Sequence, residues 1–419
     1  PRQVSAGSCA DRVANDNDAR DNDPSDPGDF ITAGEDAGTS AGGFFQDCCD
    51  DAAGGQACSS SWHGTHVSGT IGAASDNNSS VAGVDWNAKI LPLRVLGKCG
   101  GFESDIADAT VWAVGLDVPG VPHNNNPARV INMSFGGPAD PNTNLPPCSD
   151  AYQKAISSAV AAGAAVVVAA GNGDDIGNGV NIDNRPTTIQ PGNCAGVITV
   201  AALRRDGGRA KYSNFGGLVE IAAPGGDFES GLSIDGVLSL LNTGTTVPGA
   251  DATAFYQGTS MATPHVSGSI ALMLSVAPGM TSAQITAAVQ KSTRTFPSGT
   301  GRDCTTAVCG TGMLDAHKLV LEGRPVTAAP GNLAVSGVTT SQIGWTWTAA
   351  PNAVSYDIYY ATNTSSLIAS GVAGTSFDFT LPANFQTRIF VRGVNVHGVA
   401  GPGAAAPSTS TLALPISGT

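Results

Sequence analysis

The chain lacks any long apolar run. No stretch approaches the roughly 18 uninterrupted apolar residues that a helical membrane span needs, and its most apolar segment, 159–170, is interrupted by Gly163. It is also poor in charge and in aromatic rings, with 13% charged and 6% aromatic residues over 419. That composition speaks against a disordered or fibrous protein and suits a compact, loop-rich chain. Positive charge is the scarcer sign, with 20 Lys and Arg against 34 Asp and Glu and a formal net charge of −14. Such a surface repels polyanions, so neither nucleic acid nor an anionic membrane is an expected partner. No zinc-ribbon or Cys-x-x-Cys spacing occurs. No signal peptide stands at the first residues, and the chain is expected to begin at a processed or truncated point.

What is abundant is glycine (54), proline (25) and, for this size, cysteine: Cys9, Cys48, Cys49, Cys58, Cys99, Cys148, Cys194, Cys304 and Cys309. Cysteines in Gly/Ser-rich loops point to disulfides and an oxidising compartment, hence to secretion. Cys304 and Cys309 are placed to staple one short loop, and Cys99 and Cys148 are plausible long-range partners. Nine is odd, so at least one thiol has no partner within the chain.

Residues 1–62 are polar and acidic and hold no convincing buried strand. From His63 onward short apolar runs (89–96, 130–134, 164–170, 197–202, 219–223) alternate with helical patterns over 103–116 and 151–162. That alternation predicts an α/β domain, a doubly wound, mostly parallel sheet with helices on both faces. Beyond a linker at 325–331 the pattern changes to short strands (343–348, 355–360, 376–379, 388–395) separated by turn residues, which predicts a small all-β sandwich over 332–419. The expected domains are therefore 1–324 and 332–419.

Three motifs carry chemistry. Gly258-Thr259-Ser260-Met261-Ala262-Thr263-Pro264-His265 runs into an apolar helix. A serine there sits at a helix N-terminus, where free N–H groups and the dipole favour developing negative charge. Taken alone, Ser260 would as readily be a simple cap. His63-Gly64-Thr65-His66-Val67-Ser68-Gly69-Thr70 supplies an imidazole as the natural base for a serine hydroxyl. The spacing of His63 and His66 does not fit a zinc helix, and His66 is expected to be packed. Ala169-Ala170-Gly171-Asn172 ends a buried strand with an amide that can donate into a cleft.

Together these motifs, from about Ser61 to Leu319, resemble the subtilisin-like serine peptidases. The resemblance implies His63 as general base, Ser260 as nucleophile and Asn172 as oxyanion donor, with the Ser260 backbone N–H as the second donor. It further implies that Gly100 and Gly101 edge an extended peptide substrate. Ser134, Phe135 and Gly136 would form one wall of the primary specificity pocket, and Ala169, Ala170 and Gly171 the other. The partners expected are protein or peptide substrates, and the chain is expected to act as a monomer.

The family's catalytic aspartate ends a buried strand upstream of the histidine. No such strand lies between Pro1 and Trp62, so no residue is assigned to that role; the expectation is that the strand precedes Pro1. The acidic run 16–29 departs from the family in length. Its carboxylates Asp16, Asp18, Asp21, Asp23, Asp26 and Asp29 are hard oxygen donors on a turn-rich loop, which suits structural calcium, although the spacing is not that of an EF-hand. The C-terminal region resembles fibronectin type III through Trp345 or Trp347, Ala353-Val354-Ser355-Tyr356 and 391–398, with Thr387 where that fold's corner tyrosine usually stands. The alternative reading is a catalytically dead peptidase fold that serves as a binding module.

Overall fold

The computed structural model describes residues 27–36, 57–78, 81–98, 100–138, 148–173, 177–183, 189–324, 326–396, 398 and 400–413. The chain divides into two units, residues 1–272 with 281–319, and residues 273–280 with 320–419.

The first unit is built on a six-stranded sheet. Its strands are β1 (Val130–Met133), β2 (Ala165–Ala169), β3 (Val197–Leu203), β4 (Ile221–Pro224), β7 (Thr293–Arg294) and β8 (Met313–Leu314). They lie in the order β1-β2-β3-β4-β8-β7. All neighbours pair parallel except β7, which lies antiparallel to β8 at the edge. β2 and β3 are buried at every residue. That is why both read as unbroken apolar runs rather than as alternating ones. Val166, Val168 and Val197 pack against Ile156 and Ala159 of the helix Asp150–Ala161. Ser149 caps that helix, accepting from the Tyr152 N–H at 3.2 Å. Ala201, Leu203 and Ala222 join a further cluster with Ile182.

Two helices carry the site, α1 (His63–Gly72) and α2 (Thr259–Val276). They approach where a Cβ on Gly268 would lie 2.8 Å from Val84 and 3.3 Å from the Ile71 carbonyl. Ile71 follows His63 by eight residues and Gly268 follows Ser260 by eight. Nearer the N-termini, His66 lies close enough to His265 for its charge to act there. The two helices therefore run the same way and bring their first residues to one end.

A hairpin, β5 (Val237–Asn242) with β6 (Asp251–Tyr256), flanks α1, and the Ser239 hydroxyl donates to the His66 carbonyl at 2.7 Å. Sequence patterning missed this hairpin. Residues 89–96, expected as a strand, do not form one, and Ile90 and Leu91 remain 40% and 38% exposed. An apolar run without an adjoining ladder does not become a strand. The cysteine expectation also needs correction: Cys148 bonds Cys194, with their Cα atoms 5.0 Å apart, and not Cys99, which lies outside the described residues. Cys304 and Cys309 do form the short staple.

The second unit holds two antiparallel sheets. One orders β9 (Gly331–Val338), β10 (Gln342–Thr348) and β13 (Ser376–Thr380). The other orders β12 (Asn363–Val372), β11 (Ser355–Tyr360), β14 (Ile389–Val394) and β15 (Ala400–Ala405). Ile343 and Trp345 of the first meet Tyr356, Ile358, Ile389 and Val391 of the second in one apolar cluster. Trp347 packs edge-on to Tyr356, their centroids 5.2 Å apart.

Candidate active site

Ser260 is the second residue of α2, reached through Gly258, whose φ of 151° no other residue adopts easily. Pro264 stands four residues on and has no N–H to give the Ser260 carbonyl. The Ser134 hydroxyl takes that place, donating to the Ser260 carbonyl at 2.8 Å. In return the Ser260 hydroxyl donates to the Ser134 carbonyl at 3.0 Å. The Asn132 amide donates to the Ser134 hydroxyl at 2.9 Å, and the Ser267 hydroxyl on α2 donates to Asn132 Oδ1 at 2.8 Å. The end of β1 and the start of α2 are thus laced together around the candidate nucleophile.

Asn172 follows β2 through Gly171, which has a φ of 96°. A Cβ on Gly171 would lie 2.5 Å from Asn214 Nδ2. The Asn172 Oδ1 is fully committed, accepting from the Thr259 N–H at 2.9 Å and the Thr259 hydroxyl at 2.8 Å. That anchoring settles which end of the amide faces outward: Nδ2, which has no partner among the described residues. The Ser260 backbone N–H likewise has none there. A Cβ on Gly258 would lie 3.6 Å from Asn172 Nδ2 and 3.5 Å from Ser260 N. Two uncommitted donors therefore flank one small space that a side chain at Gly258 would fill, an arrangement suited to an oxyanion.

His63 opens α1 and is partly buried. Burial pulls its pKa below the usual histidine value, the nearby His66 pulls it further, and the charge of Asp29 opposes them. The ring is therefore neutral near pH 7, the form that can accept a proton. Among the described residues no hydrogen bond joins the His63 ring to Ser260 or to any carboxylate. His66 is buried and stacked on Tyr256 at 4.5 Å, so it is a packing residue as expected.

The remaining predicted residues fall around this centre. Ser134 touches Ser260 directly, and Phe135 packs on the cluster under β1 and β2. A Cβ on Gly136 would lie 2.7 Å from the Ile189 side chain. Ala169 and Ala170 are buried, and the Ala170 carbonyl accepts from the Asn214 amide at 2.9 Å. Gly100 forms a bridge with Gly97, and Gly101 follows it; no hydrogen bond among the described residues joins either glycine to His63, Asn172 or Ser260.

Of the acidic set, Asp16, Asp18, Asp21, Asp23 and Asp26 lie outside the described residues. Both carboxylate oxygens of Asp29 accept from Ser61. Among the described residues no group of three or more His, Cys, Asp or Glu side chains is arranged to hold a metal ion, and no helix there is long and apolar enough to cross a membrane. Sequence reading missed the anchoring role of Thr259, the exchange between Ser134 and Ser260, and the contacts of Asp29 and Ser61. Pro264 signalled the second of these, since a proline four residues past a serine frees that serine's carbonyl.

The profile of the subtilase family matches residues 40–315. An extracellular protease of Xanthomonas campestris pv. campestris is 43% identical over 309 residues, covering 74% of this chain and 46% of that relative. An extracellular basic protease of Dichelobacter nodosus is 37% identical over 311 residues, covering 73% and 45%. The chain thus spans about half the length of these relatives. A solved protease structure from Pseudoalteromonas arctica superposes with a TM-score of 0.63 at 44% identity, covering 74% of this chain and 80% of that one.

Proposed function

Because the chain belongs to the subtilase family, we propose that it is a secreted serine endopeptidase that cleaves peptide bonds through an acyl-enzyme. The observation that carries the reading is the pair of donors with no partner among the described residues, Asn172 Nδ2 and Ser260 N, beside the Ser260 hydroxyl at the start of α2.

The Ser260 hydroxyl turns from the Ser134 carbonyl and its oxygen attacks the scissile carbonyl carbon while His63 takes the proton. The two donors hold the resulting oxyanion. His63 then gives its proton to the leaving amine as the C–N bond breaks, and water hydrolyses the ester by the reverse sequence. No described residue is assigned the role of orienting carboxylate. Ser134, Phe135 and Gly136 on one side and Ala169, Ala170 and Gly171 on the other would shape the pocket for the residue before the scissile bond, with Gly100 and Gly101 pairing to the peptide backbone.

Asp16, Asp18, Asp21, Asp23 and Asp26 would supply oxygen donors for structural calcium. Asp29 fits that set poorly because Ser61 engages both its oxygens, and no step above uses a metal. The two antiparallel sheets over 331–405 support a fibronectin type III-like sandwich.

Ser260→Ala tests the reading. The variant is expected to fold as the parent does and to lose hydrolysis of a peptide ester; turnover at the parent's rate would overturn the assignment.

A further inference from the structure

Asp29 engages Ser61 with both oxygens. Its Oδ1 accepts from the Ser61 backbone N–H at 2.7 Å and its Oδ2 from the Ser61 hydroxyl at 2.6 Å. The Ser61 carbonyl accepts from the Tyr256 hydroxyl at 2.8 Å. The Ser61 Oγ in turn accepts from the His63 backbone N–H at 3.3 Å. Every polar group of Ser61 is therefore held, two residues before His63.

What lies between makes this matter. α1 has no side-chain cap: its N-cap is Trp62, in the left-handed region at φ 48° and ψ 29°. Helices ordinarily begin on Ser, Thr, Asp or Asn, whose side chains serve the first N–H groups. Here the Ser61 hydroxyl serves one of them from outside the helix, and Asp29 fixes where that hydroxyl points. Trp62 is locked by its indole N–H, which donates to the Gly244 carbonyl at 2.6 Å. The Ser60 N–H and hydroxyl reach the Thr245 and Thr246 carbonyls at 2.8 and 2.6 Å.

We propose that Asp29 is a positioning residue for His63, acting through the Ser61 clamp that sets the first turn of α1. This rests on the serine-peptidase reading. Asp29 does not touch the imidazole, so its role is distinct from that of an orienting catalytic carboxylate. Two described charges bear on the His63 ring: His66, on the same helix, works with burial to lower its pKa, and Asp29 raises it. Tyr256, stacked on His66, faces the Ser61 carbonyl.

The test uses the full chain carrying Asp29→Ala, Asp29→Asn or Ser61→Ala, with kcat, KM and the pH profile of kcat/KM on a peptide ester. Asp29→Ala is expected to lower kcat by up to about 100-fold with KM nearly unchanged, the scale of a small misplacement of a catalytic group. Asp29→Asn keeps one acceptor oxygen and should recover part of that loss. It should also move the acid limb to lower pH, because the charge that raises the His63 pKa is gone. A merely structural role would instead lower stability and leave kcat and KM of the folded protein unchanged. Ser61→Ala keeps the carboxylate and should lower kcat without moving the limb; it decides the matter if Asp29→Ala fails to fold. Folded Asp29→Asn and Ser61→Ala proteins with kcat within about twofold of the parent would overturn the positioning role alone, wherever the acid limb lies. A parent without Ser260-dependent hydrolysis would instead overturn the peptidase reading and this role with it.

Discussion

Asn172 and Thr259 show how a single side chain can determine what another presents. With Oδ1 taken by the Thr259 N–H and hydroxyl, the Asn172 amide has one orientation, and its Nδ2 lies 3.6 Å from where a Cβ on Gly258 would be. On the proposed reading, Asn172→Ala would remove one of two oxyanion donors and leave Ser260 and His63 in place. A fall in kcat of about 10²–10³ with little change in KM is expected, the usual scale for removing one oxyanion donor. Steady-state kinetics on a peptide ester checks it, and a change confined to KM would place Asn172 in ground-state binding instead.

At the scale of elements, the parts legible in the sequence were those whose pattern is local. β2 and β3 are buried on both faces and announce themselves as unbroken apolar runs. The start of α2 was legible because hydroxyl residues ahead of an apolar run mark a helix N-terminus. The β5–β6 hairpin was not, because its strands are only partly buried and alternate weakly. Its worth lies in distant contacts of Gly244, Thr245, Thr246 and Tyr256 with residues 60–62. The Cys148–Cys194 bridge was equally hidden, since spacing alone does not rank partners.

Glu220, just before β4, gives the sheet a pH dependence. Its carboxylate accepts from the Thr199 N–H at 2.6 Å, yet burial pushes its pKa up to about 7. The folded state thus holds this proton more tightly than the unfolded chain. Stability from the protonated group is complete below the unfolded value near 4.5 and is lost as pH rises through about 7. Glu220→Gln keeps an acceptor for Thr199 and removes the charge. It should match the parent in denaturant titrations near pH 4 and exceed it at pH 8 by up to about 3 kcal/mol. A variant less stable than the parent at pH 8 would refute this account of Glu220.

For the whole molecule, the net charge of −14 concentrates a question in the acidic run before Asp29. Carboxylates that dense repel one another unless solvent or a cation intervenes. Chelation is expected to lower the melting temperature, and Asp21→Asn combined with Asp23→Asn to blunt that sensitivity. Superimposable melting curves with and without chelator would remove calcium from the account. The central claim, that Ser260 is a nucleophile activated by His63, is tested most directly by mass spectrometry after treatment with a fluorophosphonate. One covalent adduct is predicted, on Ser260, absent in Ser260→Ala and formed far more slowly in His63→Ala. An unmodified Ser260 in a protein that still hydrolyses peptide esters would contradict it.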